Sequence, residues 1–577
     1  VEKMLKQKDI KLNKQTKIAF EILAIICLIL LAIAITPKVF QNDTFYTIKI
    51  GQSIRQNGID YKDHYSWHKD LKYLYPHWMY DVITSYIYDY CGGFAGLYIA
   101  TIALAIFLGI ALYYTNKKIT KNQIISFLVS MFQLYFMENY TAARAQSITF
   151  PLFVLTILLI EKLLETGKIR YMLGLIIIPI LIANLHSAVF PFYFILFLPY
   201  LGEDIIKRII KKPIISVIHK KILEKQKQIY LDKIKKFEES DIRIEEYKEK
   251  VKDCESKIKA ENLKIEKYLL KTKDLDSYKL RIATSENIKK LYIVFVICLF
   301  TGLLTPLKDM PYTYTYRIMK GNTTQAVSEH QPMILINEKK ILISYGILLA
   351  ILIFTKTKIR LRDLLFLSGL FILSIMTRRQ ESMLILFGGI VFARIITEFI
   401  QRKNPKLLTE VQEYLTTMFG EIGILIIVLL ISTKMINQKF TQPYIDETSY
   451  PVEASHWIKE KLDYKNIKLF NDYNYGSYLL FEDIPVFIDS RCDLYTPEFN
   501  GTYNKSKKKF VGKDIFSDFL NVSQIATWYD NVFKEYGVTH VITGTSSKLN
   551  MLISRDQLYN KIYSDKNFII YERVMNE

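Results

Sequence analysis

Apolar residues are gathered into runs of about 15–21 residues, among them 18–36, 94–114, 147–164 and 418–433, a length that approaches or meets what crosses a hydrocarbon core. The pattern is that of an integral membrane protein with helical spans. A formal net charge of +20 over 577 residues would otherwise suggest an acidic partner. Lys and Arg, however, collect in cytoplasmic segments beside spans, and no nucleic-acid reading module is recognisable, so nucleic acid is not an expected partner. The five cysteines lie far apart without a C-x-x-C, and Cys27 and Cys298 fall inside apolar runs. Neither a disulfide framework nor a zinc site is encoded.

Lys3, Lys6, Lys8, Lys11, Lys14 and Lys17 precede a first apolar stretch of about 19 residues without a clear small-x-small cleavage site, which reads as an anchor with its amino end inside. Spans are expected near 18–36, 94–114, 123–137, 147–164, 171–186, 188–201, 291–304, 341–356, 363–377, 382–399 and 418–435, about eleven in all. That parity keeps the basic segments 115–122, 161–170, 203–290, 356–362 and 401–406 inside. It sends residues 438–577 outside, with the loops 37–93, 138–146, 305–340 and 378–381. Residues 78–90 are moderately apolar but short, and they contain Asp81 and Asp89. They read as a helix along the outer surface, because a crossing there would put Lys117, Lys118 and Lys121 outside.

The first outer loop is long, polar and aromatic, which suggests either a functional element or a folded cap that shields the bundle. Asp43 follows the first span closely, where a carboxylate hangs at the membrane face and can accept a proton from a hydroxyl. His64 and His68 have i,i+4 spacing, yet Tyr65-Ser66-Trp67 between them looks extended or turning and no third ligand is obvious. No metal site or cofactor is predicted, although a divalent metal stays open. His77, beside Trp78, is either a positioning residue or a catalytic one.

Positive charge is under-represented at outer span ends, yet Arg144, Arg378 and Arg379 are expected there. They either contact headgroups or pair with Glu138 or Glu381, or they clamp the phosphate of a lipid through the guanidinium fork. Glu21 and Glu421 sit near the inner ends of their helices, so the mid-membrane charges of a proton-coupled transporter are missing. Asn184 and His186, at one tight outer turn, and Glu329 and His330, in the loop 305–340, either close a substrate pocket or are ordinary loop polar groups.

Taken in order, Asp43-Thr44-Phe45-Tyr46 with Gly51, Asn57-Gly58-Ile59, Asp63 with Tyr65-Ser66-Trp67, His77-Trp78, Arg144-x-Gln146, Ala183-Asn184-Leu185-His186 and Ser328-Glu329-His330-Gln331-Pro332 resemble bacterial multi-span proteins related to GT-C glycosyltransferases. The resemblance covers most of the chain outside 203–290. It implies a bacterial plasma-membrane enzyme whose donor is a sugar on a polyprenyl phosphate or pyrophosphate, with Asp43 at the reaction centre. Many relatives carry two neighbouring acids there, whereas this chain continues Thr44-Phe45, a departure that leaves open a metal-dependent mechanism and some of the family's donor types. In that chemistry Asp43 takes the proton of an acceptor hydroxyl, the sugar is transferred with inversion, and arginines stabilise the departing phosphate.

Residues 438–577 alternate strand and helix patterns and read as an α/β domain. Strands are expected at 467–470, 486–489, 538–543 and 568–571, and helices at 452–462 and 524–536. Ala454-x-x-Trp457-Ile458 followed by Asn471-Asp472-Tyr473-Asn474-Tyr475-Gly476 is similar to the acceptor-contacting segment of oligosaccharyltransferase catalytic subunits. The tryptophans of that segment are replaced here by Phe470 and Asn471, so peptide recognition does not carry over. Asp472, Asp489 and Arg491 are candidate acceptor contacts or structural turn residues.

From Ile214 to Thr301 there is neither Gly nor Pro, and Leu223, Tyr230, Phe237, Ile244, Val251, Ile258 and Ile265 fall seven apart, which predicts long helix with a coiled-coil seam. A hairpin turning near Glu239-Ser240-Asp241 returns both ends to the membrane. Self-association, another protein partner or anionic headgroups are alternatives for this insertion.

The expected organisation is therefore an N-terminal membrane module, 1–202, carrying the outer loop 37–93, followed by a cytoplasmic helical insertion, 203–290, a second membrane module, 291–437, and the outer domain 438–577. The expected activity is transfer of a sugar from a polyprenyl-phosphate-linked donor in the lipid bilayer to an extracytoplasmic acceptor. A lipid-linked glycan transporter or flippase, and a non-catalytic scaffold acting through the coiled coil, are the alternatives.

Overall fold

The computed structural model describes residues 14–211, 214–236, 243–271, 279–283, 285–321, 327–506 and 508–574. Six described helices are long and apolar enough to cross a membrane: Gln15–Ile35, Phe94–Thr120, Gln146–Thr166, Ser187–Ile210, Arg378–Lys403 and Met418–Phe440. Shorter apolar helices, Gln123–Phe136, Ile169–Leu185, Ile288–Thr301, Lys339–Phe354 and Leu361–Met376, lie over the remaining apolar stretches. At 1.5 Å per residue a 14-residue helix such as Gln123–Phe136 rises only about 21 Å, short of the ~30 Å hydrocarbon core. A count of eleven crossings therefore rests on the shorter helices.

Buried polar side chains pair across helices inside the bundle. The helix Gln123–Phe136 faces a π-helical turn at Leu384–Gly388, and Gln133 Nε2 donates to the Leu386 carbonyl at 2.6 Å while Asn116 Nδ2 donates to Gln133 Oε1 at 2.7 Å. Charges that the sequence reading passed over also meet between helices. Glu161 lies 3.3 Å from Arg362 and 3.1 Å from Arg394, and Arg394 also contacts Asp363.

The segment after the first apolar helix differs from the expected loop in two ways. Residues 42–57 form a helix, Asn42–Asn57, whose buried residues include Thr44, Phe45, Ile48 and Gly51. It packs closely on the helix Trp78–Tyr90: a Cβ added to Gly51 would stand 2.0 Å from the Asp81 carbonyl oxygen, so only glycine allows this approach. The loop is also continuous with the C-terminal region. Phe45 packs against Tyr450, Tyr478 and Phe481 at 4.9, 5.2 and 5.6 Å between rings, within a hydrophobic cluster that includes residues of both.

In the C-terminal region a four-stranded sheet runs, in spatial order, Leu469–Phe470, His540–Gly544, Phe568–Arg573, Tyr559–Ser564, with the first pair parallel and the others antiparallel. The strand expected at 486–489 is absent from it. Val486 instead bridges Ser66, with Val486 N donating to the Tyr65 carbonyl and Trp67 N to the Val486 carbonyl, each at 3.2 Å. Asn471 occupies the neighbouring backbone, accepting from Phe487 N at 2.8 Å and donating to the Ile488 carbonyl at 2.7 Å. The helix expected at 524–536 is shortened to Tyr529–Tyr536 by a turn in which Ile525 has φ 60°, and the strand Tyr559–Ser564 is additional.

The helices Ile214–Ile234 and Arg243–Lys271 pack antiparallel, with Tyr230 stacked on Tyr247 and Lys227 2.6 Å from Glu255. Phe237 and the turn expected at Glu239-Ser240-Asp241 lie outside the described residues. The expected boundaries at 202, 290 and 437 each fall inside a helix, Leu198–Lys211, Ile288–Thr301 and Met418–Phe440. Leu280–Arg281 pairs in parallel with Ile359–Arg360, fastening the chain to the bundle before it re-enters.

Arg491 clamps the outer loop to the C-terminal region. Its side chain is 2% exposed and lies 2.8 Å from Asp63 and 2.7 Å from Asp489, and the Tyr495 hydroxyl donates to Asp489 at 2.6 Å. Removing the guanidinium leaves two buried carboxylates without a counter-charge. Arg491→Met is expected to cost about 3–5 kcal/mol in chemical unfolding of the solubilised protein. A loss below about 1 kcal/mol, the scale of an exposed pair, would show that the clamp is dispensable.

Candidate functional site

Between the helices Asn42–Asn57 and Trp78–Tyr90, the bundle ends and the C-terminal region lies a cavity of about 340 Å³. Asp43 enters it from the first turn of Asn42–Asn57, Arg144 from the bend before Gln146–Thr166, and Glu329 from a 3-10 turn, Ser328–His330. Arg144 joins the three. Its Nε donates to Asp43 Oδ2 at 2.6 Å, its Nη2 also contacts that oxygen, and its Nη1 donates to Glu329 Oε1 at 2.7 Å. Burial alone would raise the Asp43 carboxyl, but the Arg144 charge and hydrogen bonds from Ser490 and Arg144 hold it below its ordinary value. Glu329 is lowered against burial by Arg144 in the same way.

Arg379 lines the same wall, and among the described residues its guanidinium has no hydrogen-bond or ion-pair partner. Burial and the Arg379 charge push His330 down to about 4 and lower His186 well below the imidazole range, so both rings are neutral near neutral pH. Arg378 is turned aside. It pairs with Glu338 at 3.2 Å and lines an adjoining cavity of about 210 Å³, while Glu381 accepts from the Tyr140 hydroxyl at 2.9 Å. Neither arginine makes an ion pair with Glu138 or Glu381, the salt-bridge alternative, among the described residues.

His77 is buried at the start of Trp78–Tyr90, with Nδ1 2.5 Å from Asp81 Oδ1 and Nε2 3.1 Å from the Tyr46 hydroxyl. The sequence gives no sign of Tyr46 at the site, because the stretch 37–77 reads as a loop. On a helix Asp43, Tyr46 and Thr47 fall at i, i+3 and i+4, and all three line the cavity. Tyr73, Tyr314, Tyr473, Cys492 and Asp493 complete the far wall. Burial raises the Asp493 carboxyl against the opposing hydrogen bond from the Tyr314 hydroxyl. No spacing in the sequence marks these residues.

Several expected site residues lie elsewhere because local partners consume them. His64 is outside the cavity, with Nε2 2.6 Å from Asp60. His68 is packed among Trp67, Phe487 and Tyr536, with Nε2 on the Phe487 carbonyl at 2.8 Å, and burial pushes it down to about 4. The two rings do not share a ligand face. Asn184 accepts from Trp78 Nε1 at 3.2 Å and donates to the Leu304 carbonyl at 3.0 Å, fixing the turn rather than facing the cavity. Asp472 caps the helix Tyr473–Phe481 by accepting from Asn474 N at 2.8 Å. Asp489 is fully buried against Arg491, and Arg491, although at the cavity wall, is committed to Asp63 and Asp489. Among the described residues no group of three or more His, Cys, Asp or Glu side chains is placed to hold a metal ion. The cation between Asp43 and Glu329 is a guanidinium.

No protein-family model matches the chain, and no curated protein matches it. Among solved structures, the archaeal oligosaccharyltransferase AglB from Archaeoglobus fulgidus, in complex with an inhibitory peptide and a dolichol-phosphate, aligns with a TM-score of 0.50 at 12% identity, covering 97% of this chain and 75% of that one. The apo form of the Archaeoglobus fulgidus oligosaccharyltransferase aligns at TM-score 0.48 and 12% identity, covering 92% and 70%. The chain thus shares its overall fold with the first of these, and at this identity the likeness extends to fold alone.

The Asp43–Arg144 pair has a pH signature. Asp43 is held below its unfolded value, so the pair's contribution to stability is fully present above the ordinary carboxylate range and is lost as pH falls through the lowered value. The gap in unfolding midpoint between the native protein and Asp43→Asn is expected to stay constant over about pH 6–8 and to shrink below about pH 4. A gap that widens on acidification would contradict the pairing.

Proposed function

We propose that the protein is a membrane glycosyltransferase that moves a sugar from a lipid-phosphate donor of polyprenyl type to an acceptor at the outer face of a bacterial plasma membrane. The single observation that carries this reading is Arg379, whose guanidinium has no hydrogen-bond or ion-pair partner among the described residues and stands at the meeting point of two spaces. One is the polar cavity of Asp43, Arg144 and Glu329. The other is a mostly apolar groove of about 170 Å³ lined by Phe150, Phe153, Phe192, Met319 and Met383 as well as Arg379. A donor that is half hydrocarbon and half charged phosphate has this division of chemistry.

Arg379 and Arg144 hold the phosphate, a task suited to planar forks that match its oxygens. Bond breaking places positive charge on the anomeric carbon and negative charge on the departing phosphate. Asp43 faces the first and the arginines the second. Asp43 also takes the hydrogen bond of the acceptor hydroxyl on the face opposite the leaving group, which gives inversion. His186 and His330, both neutral, offer hydrogen bonds to sugar hydroxyls without competing for the phosphate. The tyrosines and Asp493 on the C-terminal wall contact the acceptor. In this arrangement Asn42–Asn57 and residues 438–577 lie outside, and the amino end and the helical insertion lie inside.

The test is mass spectrometry of glycolipids and surface glycans in cells with and without the intact gene. Asp43→Asn is expected to behave as the gene-deleted strain, with turnover lowered about 100-fold or more and the protein still inserted in the membrane. Arg379→Lys keeps the charge but loses the fork, and is expected to weaken donor binding about tenfold with Asp43 chemistry intact. Identical glycan profiles in native, Asp43→Asn and gene-deleted cells would remove the assignment.

A further inference from the structure

Tyr46, His77 and Asp81 form a hydrogen-bonded chain that begins at the cavity and has no part in the scheme above. The close approach at Gly51 brings Asn42–Asn57 against Trp78–Tyr90 and sets the Tyr46 hydroxyl 3.1 Å from His77 Nε2. Asp81, with no exposed surface, stands 2.5 Å from Nδ1 on the other side of the ring. A carboxylate on Nδ1 keeps that nitrogen protonated and leaves Nε2 of the neutral ring as an acceptor aimed at Tyr46. Asp43 is poorly placed to keep a proton, because Arg144 and Ser490 already bind its carboxylate.

We infer that Tyr46 and His77 are a catalytic proton relay, with Asp81 as its positioning residue, that removes the proton of the acceptor hydroxyl while Asp43 orients that hydroxyl. This rests on the glycosyl-transfer reading and names the proton's destination. As the acceptor oxygen bonds to the anomeric carbon, the bond from that carbon to the phosphate oxygen breaks and its electron pair leaves with the lipid phosphate. The acceptor proton passes to the Tyr46 oxygen, and the Tyr46 proton passes to His77 Nε2. The resulting imidazolium is balanced by Asp81, and release of its proton to water resets the relay.

The charged and titratable groups around His77 set the sign of its pH dependence. Asp81 and Tyr80 come from its own helix, Asp43 and Tyr46 from Asn42–Asn57 and Arg379 from a bundle end, and the Tyr80 and His186 rings each lie 6.4 Å away between centroids. Burial would depress the ring, but the Asp81 charge and hydrogen bond, with Asp43 behind them, raise it above its ordinary value against Arg379. His186 is neutral over this range. The relay works with His77 neutral, so turnover falls as pH drops through that raised value. A proton kept on Asp43 would place the acid limb in or below the carboxylate range instead.

The experiment uses the full chain in lipid nanodiscs. Probe donors are undecaprenyl phosphate carrying glucose, galactose or mannose, and the acceptor source is membrane extract from gene-deleted cells. The pH profile of kcat/KM is recorded beside a nitrogen-15 histidine titration of the same protein without donor, with His77 identified through His77→Gln. The expected result is an acid limb above pH ~6.5, the unperturbed histidine value, that coincides with the His77 titration and moves down with it in Asp81→Asn. Tyr46→Phe is expected to lower kcat about 100-fold with KM within about twofold. An acid limb in the carboxylate range that Asp81→Asn leaves in place overturns the relay, as does a neutral His77 ring carrying its proton on Nε2. Absence of turnover by the native protein on all three donors overturns the underlying glycosyl-transfer reading, and the titration is then judged separately.

Discussion

The end of the bundle that faces the C-terminal region is organised around one guanidinium. Arg144 reaches residues 101 positions earlier and 185 later in the chain, so a helix after the first span, a bend between spans and a distant outer loop meet on a single planar group. Two partly buried carboxylates at one place repel each other unless a cation lies between them. With Arg144 there, Asp43 and Glu329 are both stabilised as anions. Arg379 supplies the second positive charge and brings the four groups into balance, while its guanidinium makes no direct hydrogen bond among the described residues and borders an apolar groove.

That arrangement needs a rigid frame on its solvent side, where the membrane lends no support. The frame is built from mutual burial of the first outer segment and the C-terminal region. Aromatic contacts of Phe45, the single bridge of Val486 with Ser66, and the Arg491 clamp on Asp63 all cross between them. The two are therefore one folding unit split across most of the chain's length. Buried ion pairs such as Arg491 with Asp63 and Asp489 contribute little net stability, but a register that leaves Asp63 without its partner is strongly disfavoured. The clamp thus fixes how the loop sits, and with it the direction in which Asp43 points.

Much of the site could be read in the sequence, for a reason specific to membranes. Lipid makes sidedness legible through span length and lysine distribution, and sidedness was enough to group Asp43, His77, Arg144, His186, Glu329, His330 and Arg379, all of which line one cavity. Sidedness does not say which way a side chain turns, and short-range partners decide that. His64 turns to Asp60 four residues back, Asp472 to the amide of Asn474, and Asp489 to Arg491 two residues on. Asn184 is held by Trp78, whose position depends on the fold of the outer loop. The strand expected at 486–489 had the right apolar composition. Composition could not tell pairing within a sheet from pairing with a loop more than 400 residues away, as Trp67 N to Val486 is.

The helix Asn42–Asn57 shows what one misread element costs. As a loop, the segment offers a single acid at the membrane face and no reason to connect it with residues 77 and 81. As a helix, it carries Asp43, Tyr46 and Thr47 on the face toward the cavity and Gly51 against Asp81, so the position of the acid and of the imidazole follow from the same packing. A larger residue at Gly51 would force the two helices apart, moving Tyr46 from His77 while leaving Asp43 under the hold of Arg144. The electrostatic centre and the proton path are thus separable in the structure even though they share a helix. Arg144 determines where charge is stabilised, and the Gly51 contact determines where a proton can go.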